Sequence, residues 1–167
     1  MPKFDVTDFL MQDYTPLNKN LWKFTFPNLV GNIKIPSFLC KTASRPKWAF
    51  EETEIDYMTQ KRYVAGKLTY EPMEVALMEP IDTTLTQAIL AWSNLIQEVS
   101  TGVRGYTSMY KKDCILELLD GLENVVQKWT LRGSWPANTN LGDLDYSTGE
   151  PIEATISIRF DKPLLDF

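Results

Sequence analysis

Residues 152–160 constrain the fold most. Ile152, Ala154, Ile156, Ile158 and Phe160 hold alternate positions, and Glu153, Thr155, Ser157, Arg159 and Asp161 fill the positions between them. Successive side chains on a strand point to opposite faces, so a clean period of two describes a strand buried on one side only. The chain must therefore pack that sheet face against something.

The rest of the sequence supplies more strands and one helix. Leu21–Phe26 alternates, with Trp22, Phe24 and Phe26 on one face and Lys23 and Thr25 on the other. Ile33–Lys41 predicts a second strand, interrupted at Pro36. Residues 42–49 read as a loop around Arg45-Pro46-Lys47. Glu51–Tyr57 predicts a third strand, with Glu52, Glu54 and Asp56 on one face and Thr53, Ile55 and Tyr57 on the other. Residues 51–78 then read as one long hairpin with an extended tip. Leu85, Ala88, Ile89, Trp92, Leu95, Ile96 and Val99 recur at helical spacing after Asp82-Thr83, which predicts a helix over about 83–100, stopped by Gly102. Asp113–Leu119 and Val125–Arg132 flank Asp120-Gly121, a hairpin signal. A two-residue loop would pair Leu119 with Leu122. A four-residue loop would pair Leu119 with Asn124 and Cys114 with Trp129, which gives the better apolar face. Several strands, one helix and no βαβ alternation predict a mainly β fold: an antiparallel sandwich or barrel with a flanking α-helix. The expected divisions are an N-terminal arm over 1–20, a β domain over 21–161 and a C-terminal tail over 162–167.

Composition narrows function by exclusion. The chain has 167 residues, no histidine, two cysteines and a net charge of −5. Without histidine there is no Ser-His-Asp or Cys-His nucleophilic site and no imidazole ligand. An acidic chain lacks the basic footprint of a nucleic-acid binder. No apolar run is long enough to span a membrane, and Met1–Asp5 lacks the apolar core of a signal peptide. Cys40 and Cys114 sit in apolar strand patterns and read as buried free thiols.

Candidate chemical motifs fail on inspection. Gly66-Lys67-Leu68-Thr69 has Lys61 where a phosphate loop needs glycine and Leu68 where it needs Ser or Thr. Asp143-Leu144-Asp145-Tyr146-Ser147 resembles a calcium loop, but Thr148 and Ala154 stand where glycine and an acid belong. Glu52, Glu54 and Asp56 read as a solvated strand face, not a catalytic pair. No catalytic residue, metal ligand or cofactor site is expected. Trp22, Trp48 and Trp135 leave open a small β-sandwich module that stacks sugars or binds protein.

Toward the C-terminus the order of pieces is specific. A long strand through Leu131 runs into Gly133-Ser134-Trp135-Pro136. A loop with Asn138, Leu144 and Asp145 follows, then the alternating strand Ile152–Phe160. Upstream, Met58-Thr59-Gln60-Lys61-Arg62-Tyr63 leads into Val64-Ala65-Gly66. This series resembles the contractile-tail bacteriophage tail tube proteins, relatives of the inner-tube proteins of contractile injection systems. The resemblance covers about Leu21 to Phe160.

That resemblance implies a structural protein without catalysis. It implies hexameric rings, with strands of each subunit shared into one barrel, stacked into a tube that conducts DNA into the host without binding it specifically. It makes Gly133, Trp135 and Pro136 structural motif residues. It implies that Lys61, Arg62, Tyr63, Val64, Ala65 and Gly66 form a hairpin tip reaching the adjoining ring. Loop cations Arg45, Lys47, Lys61 and Arg62 would meet acids such as Asp143, Asp145 and Glu150. A neutral or acidic lumen lets DNA pass, and two faces qualify, Glu52, Glu54 and Asp56 or Glu153, Thr155 and Ser157. The partners implied are further copies of the chain, a sheath protein, a baseplate initiator and a tape-measure protein, with no membrane insertion. The location implied is the virion, after assembly in the host cytoplasm. A type VI secretion or pyocin-like particle is the alternative setting.

Overall fold

A computed structural model describes residue 10 and residues 15–166. Most of the expected N-terminal arm, 1–20, lies outside the described residues. The strands are β1 (Trp22–Thr25), β2 (Cys40–Ala43), β3 (Trp48–Tyr57), β4 (Gln60–Tyr70), β5 (Met73–Met78), β6 (Lys112–Leu119), β7 (Val125–Asn140), β8 (Glu153–Arg159) and β9 (Lys162–Asp166). Helix α1 spans Thr84–Ile96 and a single turn, α2, spans Thr107–Tyr110. Every strand pairing is antiparallel.

One strand organises the body. β7 is 16 residues long and belongs to two layers. Its first half lies between β6 and β9, and β1 continues that layer beyond β6. Its second half pairs with β8, and β5 and β2 continue the other layer. The strand changes layer at Gly133, whose φ is +66°. A Cβ there would press against the carboxylate of Asp161. The Asp161 backbone N–H donates to the Arg132 carbonyl at 2.9 Å. Its carboxylate accepts from the Lys111 ammonium at 2.8 Å. Ser134, fully buried beside the bend, donates its hydroxyl to the Leu131 carbonyl at 2.8 Å. Pro136 has no N–H to give to a ladder, and the register with β8 shifts between Pro136 and Asn138. The Gly133-Ser134-Trp135-Pro136 motif is thus the corner of the sandwich.

The core fills the space between the layers. Phe24, Val75, Leu77, Cys114, Leu131, Ile156 and Ile158 are fully buried. On β8 the alternation holds from Ala154 to Phe160, while Ile152 stays exposed before the strand begins. Helix α1 turns Leu85, Ala88, Ile89 and Trp92 inward. The Trp92 indole N–H donates to the Tyr110 carbonyl at 2.8 Å, so this large buried side chain leaves no polar atom unpaired. Asp82 accepts from the Thr84 N–H at the start of α1, and hydrogen bonding to Thr84, through its side chain first and this N–H second, holds the Asp82 carboxyl below the usual carboxylate range.

Several expectations need correction. The helix ends at Ile96, not near residue 100. From Gln97 the chain turns back: the Glu98 N–H donates to Val103 O at 3.0 Å, the Gly105 N–H donates to Ile96 O at 3.0 Å, and Val99 is left exposed. Residues 33–39 hold a short 3-10 turn at Ser37–Leu39, so the second strand starts only at Cys40. The third strand begins at Trp48 instead of Glu51. The 51–78 hairpin is two structures, because β3 and β4 pair with each other while β5 joins β2 and β8. The β6–β7 turn is longer than either alternative: Leu119 pairs with Val125, Leu118 with Gln127 and Cys114 with Leu131. The Asp120 carboxylate explains it by accepting from the N–H groups of Leu122 (2.8 Å) and Asn124 (2.9 Å), which stabilises a wider loop. The offset from the preferred register is two residues over most of the ladder, so the same side chains still face the core. Lys162–Asp166, expected as a tail, is a strand paired with Lys128–Arg132 of β7.

Two outcomes follow from this packing. Gly133→Ala should destabilise the dilute chain by about 1–2 kcal/mol, since it forces a side chain into a left-handed backbone and against Asp161; an unchanged urea midpoint would contradict the corner's role. Burial pushes the thiols of Cys40 and Cys114 up to about 12. Cys114 is buried and Cys40 half-buried; at pH 8 both should label slowly with a thiol reagent in the folded protein, Cys114 the slower, and fast once it is unfolded, and rapid labelling of Cys114 in the native chain would contradict its burial.

Candidate functional site

Among the described residues, the larger hollows of the chain lie open to solvent. Among the described residues no three His, Cys, Asp or Glu side chains converge as metal ligands, and no helix is long and apolar enough to cross a membrane. What it offers are surfaces that a solitary copy leaves unfinished.

The first is an arm. β3 and β4, ten and eleven residues long, form a separate two-stranded sheet closed by Met58-Thr59. A lone two-stranded hairpin is marginal in water. Every residue from Trp48 to Thr69 is nevertheless exposed. The arm touches the body at its base, where the Trp48 ring stands 6.2 Å from Trp129 and the Tyr70 ring 6.0 Å from Phe160. The Glu71 N–H closes the base by donating to Lys47 O at 3.1 Å.

The register sorts the arm's side chains onto two unlike faces. Glu52 lies opposite Ala65, Glu54 opposite Tyr63 and Asp56 opposite Lys61, which makes one acidic face where Lys61 pairs with Glu54. Thr53 lies opposite Val64, Ile55 opposite Arg62 and Tyr57 opposite Gln60, which makes an apolar face with one cation. The resemblance implies a loop tip for Lys61 and Arg62. They lie instead within β4, on opposite faces, because strand pairing continues to Gln60. Gly66 sits beside a register shift in the same ladder. Arg45 and Lys47 are in a loop as expected, and the Arg45 guanidinium donates to Gln127 at 2.9 Å.

The second surface is the outer face of β5, β8 and the end of β7. Glu153, Thr155 and Ser157 point outward from β8 and are half-buried among their neighbours. Thr155 lies between Ala76 and Asn140, and Ser157 between Glu74 and Asn138. Lys41 of β2 neutralises Glu153. The face is therefore polar, small-chained and close to neutral. Of the two lining candidates, this one is part of a continuous sheet, and the Glu52, Glu54, Asp56 face is not.

The third surface is the 141–152 connection between β7 and β8. It borders an open hollow of about 790 Å³ lined in part by Asp143, Asp145, Glu150 and Glu153, with no cation in the lining. The Ser147 N–H, at 2.9 Å, holds the Asp145 carboxyl below its usual range. Leu144 and Tyr146 project from the loop, 83% and 110% exposed. The acids were legible in the sequence; their grouping around one hollow was not.

The tryptophans do not form a platform. Trp22 packs against the core, Trp48 lies against Trp129 at the arm's base, and Trp135 meets Tyr110 edge-on at 6.2 Å.

No protein-family model matches the chain. Curated relatives do. The chain is 23% identical over 152 residues to a tail tube protein of Serratia phage KSP90, covering 87% of this chain and 86% of the relative. It is 24% identical over 129 residues to tail tube protein gp19 of Enterobacteria phage T4, covering 74% and 79%. Its fold matches a chain of the anti-feeding prophage tube-terminating cap, with a TM-score of 0.71 at 16% identity over 93% of this chain and 94% of that one. It also matches a chain of the sheath-tube complex of the extracellular contractile injection system PVC, with a TM-score of 0.63 at 15% identity over 98% and 99%. The chain is thus similar along most of its length to tail tube proteins of contractile-tail phages, and it shares its fold with chains of these injection assemblies.

Proposed function

We propose that the chain is the repeating structural subunit of a contractile phage tail's inner tube, forming hexameric rings that stack around a channel for DNA ejection. The observation that carries this reading is the arm: two long strands with exposed faces and unpaired edges, which other copies would cover. Edge strands left open recruit further strands, and closing the sheet around a ring removes the open edges of the body. The role needs no catalytic step. The chain's lack of histidine fits that, since a conduit has no proton to move.

The outer face of β5–β8–β7 is the better lining for the channel. Thr155, Ser157, Asn138 and Asn140 offer water hydrogen bonds without net charge, and Lys41 cancels Glu153. Such a wall neither captures a polyanion through counterion release nor exposes apolar surface to it. The acidic arm face of Glu52, Glu54 and Asp56 is detached from that continuous sheet, which favours contact over lining. A surrounding sheath, a baseplate initiator and a tape-measure protein complete the assembly, which forms in the host cytoplasm and ends as part of the virion. Sequence kinship to two phage tail tube proteins favours a phage tail over a secretion particle.

Negative-stain microscopy of the concentrated protein should show rings or hollow rods. Replacing residues 51–66 with a short turn should leave the far-ultraviolet dichroism of the body intact and abolish those rods. Solitary particles at all concentrations would contradict the reading. With Thr155→Lys and Ser157→Lys together, tubes should still form but retain DNA, slowing ejection about tenfold or more; ejection at the normal rate would place the lining elsewhere.

A further inference from the structure

The arm does not run smoothly out of the body. β2 and β5 pair inside the sandwich, and β3 and β4, which continue them, pair outside it. The last link on the body side joins Ser44 and Glu74. The Ser44 N–H donates to Glu74 O at 2.9 Å, and the Glu74 N–H donates to the Ser44 hydroxyl oxygen at 3.0 Å. The first link on the arm side is the Glu71 N–H donating to Lys47 O at 3.1 Å. Between the two links stand Pro46 on one strand and Pro72 on the other. Proline has no N–H to give to a ladder. Among the described residues no backbone hydrogen bond joins Arg45 or Pro46 to Pro72 or Met73. The ribbon is cut at one level on both strands, and that is where it can pivot.

The root has room to turn. An open hollow of about 180 Å³ lies among Trp48, Phe50, Leu68, Trp129 and Pro163. Another, of about 490 Å³, lies beside Leu68 and Tyr70 toward Tyr110 and Trp135. Close packing therefore does not wedge the arm at one angle.

A polar relay holds it instead. Gln127 and Trp129 are two apart on β7 and share a face. The Gln127 side-chain oxygen accepts from the Trp129 indole N–H at 3.2 Å and from the Arg45 guanidinium at 2.9 Å. Arg45 precedes the cut and Trp48 follows it. The Trp48 ring stands 6.2 Å from the Trp129 ring, tilted by 43°. Arg45 thus ties the segment leading into the arm to the same amide that orients the indole beside the arm's first residue. The resemblance implies acids of another ring as partners for Arg45; its guanidinium is engaged within its own subunit.

We infer that Arg45 and Gln127 are positioning residues: acting through Trp129 and Trp48, they hold the arm at one angle across the two-proline cut, and that angle governs how readily copies assemble. The assembly half rests on the stacked-tube reading, and the angle does not. An arm already held in place loses less freedom when another copy engages it, so rods form at a lower concentration.

The dilute chain tests the angle. Two indoles this close give an exciton couplet in far-ultraviolet circular dichroism, and Trp48→Phe identifies it by removing it. Arg45→Ala and Gln127→Ala should each weaken the couplet and leave the urea midpoint unchanged. Gln127→Glu, whose carboxylate accepts from both donors, should keep it. A spectrum unchanged by Trp48→Phe or by either alanine variant, or a loss in Gln127→Glu equal to that in Gln127→Ala, would overturn the relay. A lowered urea midpoint in the alanine variants would make the two residues plain structural supports. Assembly is read as the concentration at which rods appear. Each alanine variant should raise it about tenfold, and the double variant no further, because both break one relay. Alanine variants that form rods at the normal concentration would overturn the assembly half. A double variant worse than either single, or Arg45→Ala impaired with Gln127→Ala normal, would return Arg45 to a contact between copies and overturn the relay's role. Absence of rods from the unmodified chain would overturn the tube reading and the assembly half with it, while the couplet still decides the angle.

Discussion

Everything in this molecule is arranged around a strand that must serve two layers. β7 gives its first half to β6 and β9 and its second half to β8. A straight strand cannot do both, so the backbone turns at Gly133, where φ is +66° and a Cβ would press on the Asp161 carboxylate. The corner costs the ladder some hydrogen bonds. Side chains restore them: Ser134 caps Leu131, and Asp113 accepts from the Gly133 N–H at 3.2 Å. Among the described residues no buried side-chain polar atom is left without a partner.

That corner also sets the poles. Phe160 and Asp161 pass from β8 to β9 at the place where β7 turns, and the arm roots against the same region through Tyr70. The opposite ends of β7 and β8 must be joined by the 141–152 connection, which is driven to the far side. One fold thus yields a projecting ribbon at one end and an acidic hollow at the other. A body with unlike ends suits head-to-tail growth, and a body with like ends would pair and stop.

Much of this was readable in the residues. The alternation from Ala154 to Phe160, the inward face of α1 and the apolar parity of β6 were all visible, because burial imposes a period on side chains and each period is distinct. Tail-tube kinship was readable from the corner motif and its neighbours in order. What escaped was set by hydrogen bonds that leave no period. The Asp120 loop widened the β6–β7 turn through two backbone N–H bonds. The fold-back at Gln97–Arg104 ended α1 early although Val99 continued its pattern. Lys162–Asp166 is too short and too mixed to announce a strand, and only the free side of β7 makes it one. On the arm, Lys61 and Arg62 read as neighbours in a tip, and pairing put them on opposite faces. Which acids share a hollow is decided by the β7–β8 connection, not by their spacing.

The central claim is that the arm gains its partners only from other copies, and amide hydrogen exchange over residues 51–67 tests it most directly. Those amides should exchange fast in the dilute chain while the β7 and β8 amides stay protected, and they should slow by at least about a hundredfold in the assembled protein. Protection of the arm in dilute solution equal to that of β8, or fast exchange of the arm within assembled tubes, would contradict the account.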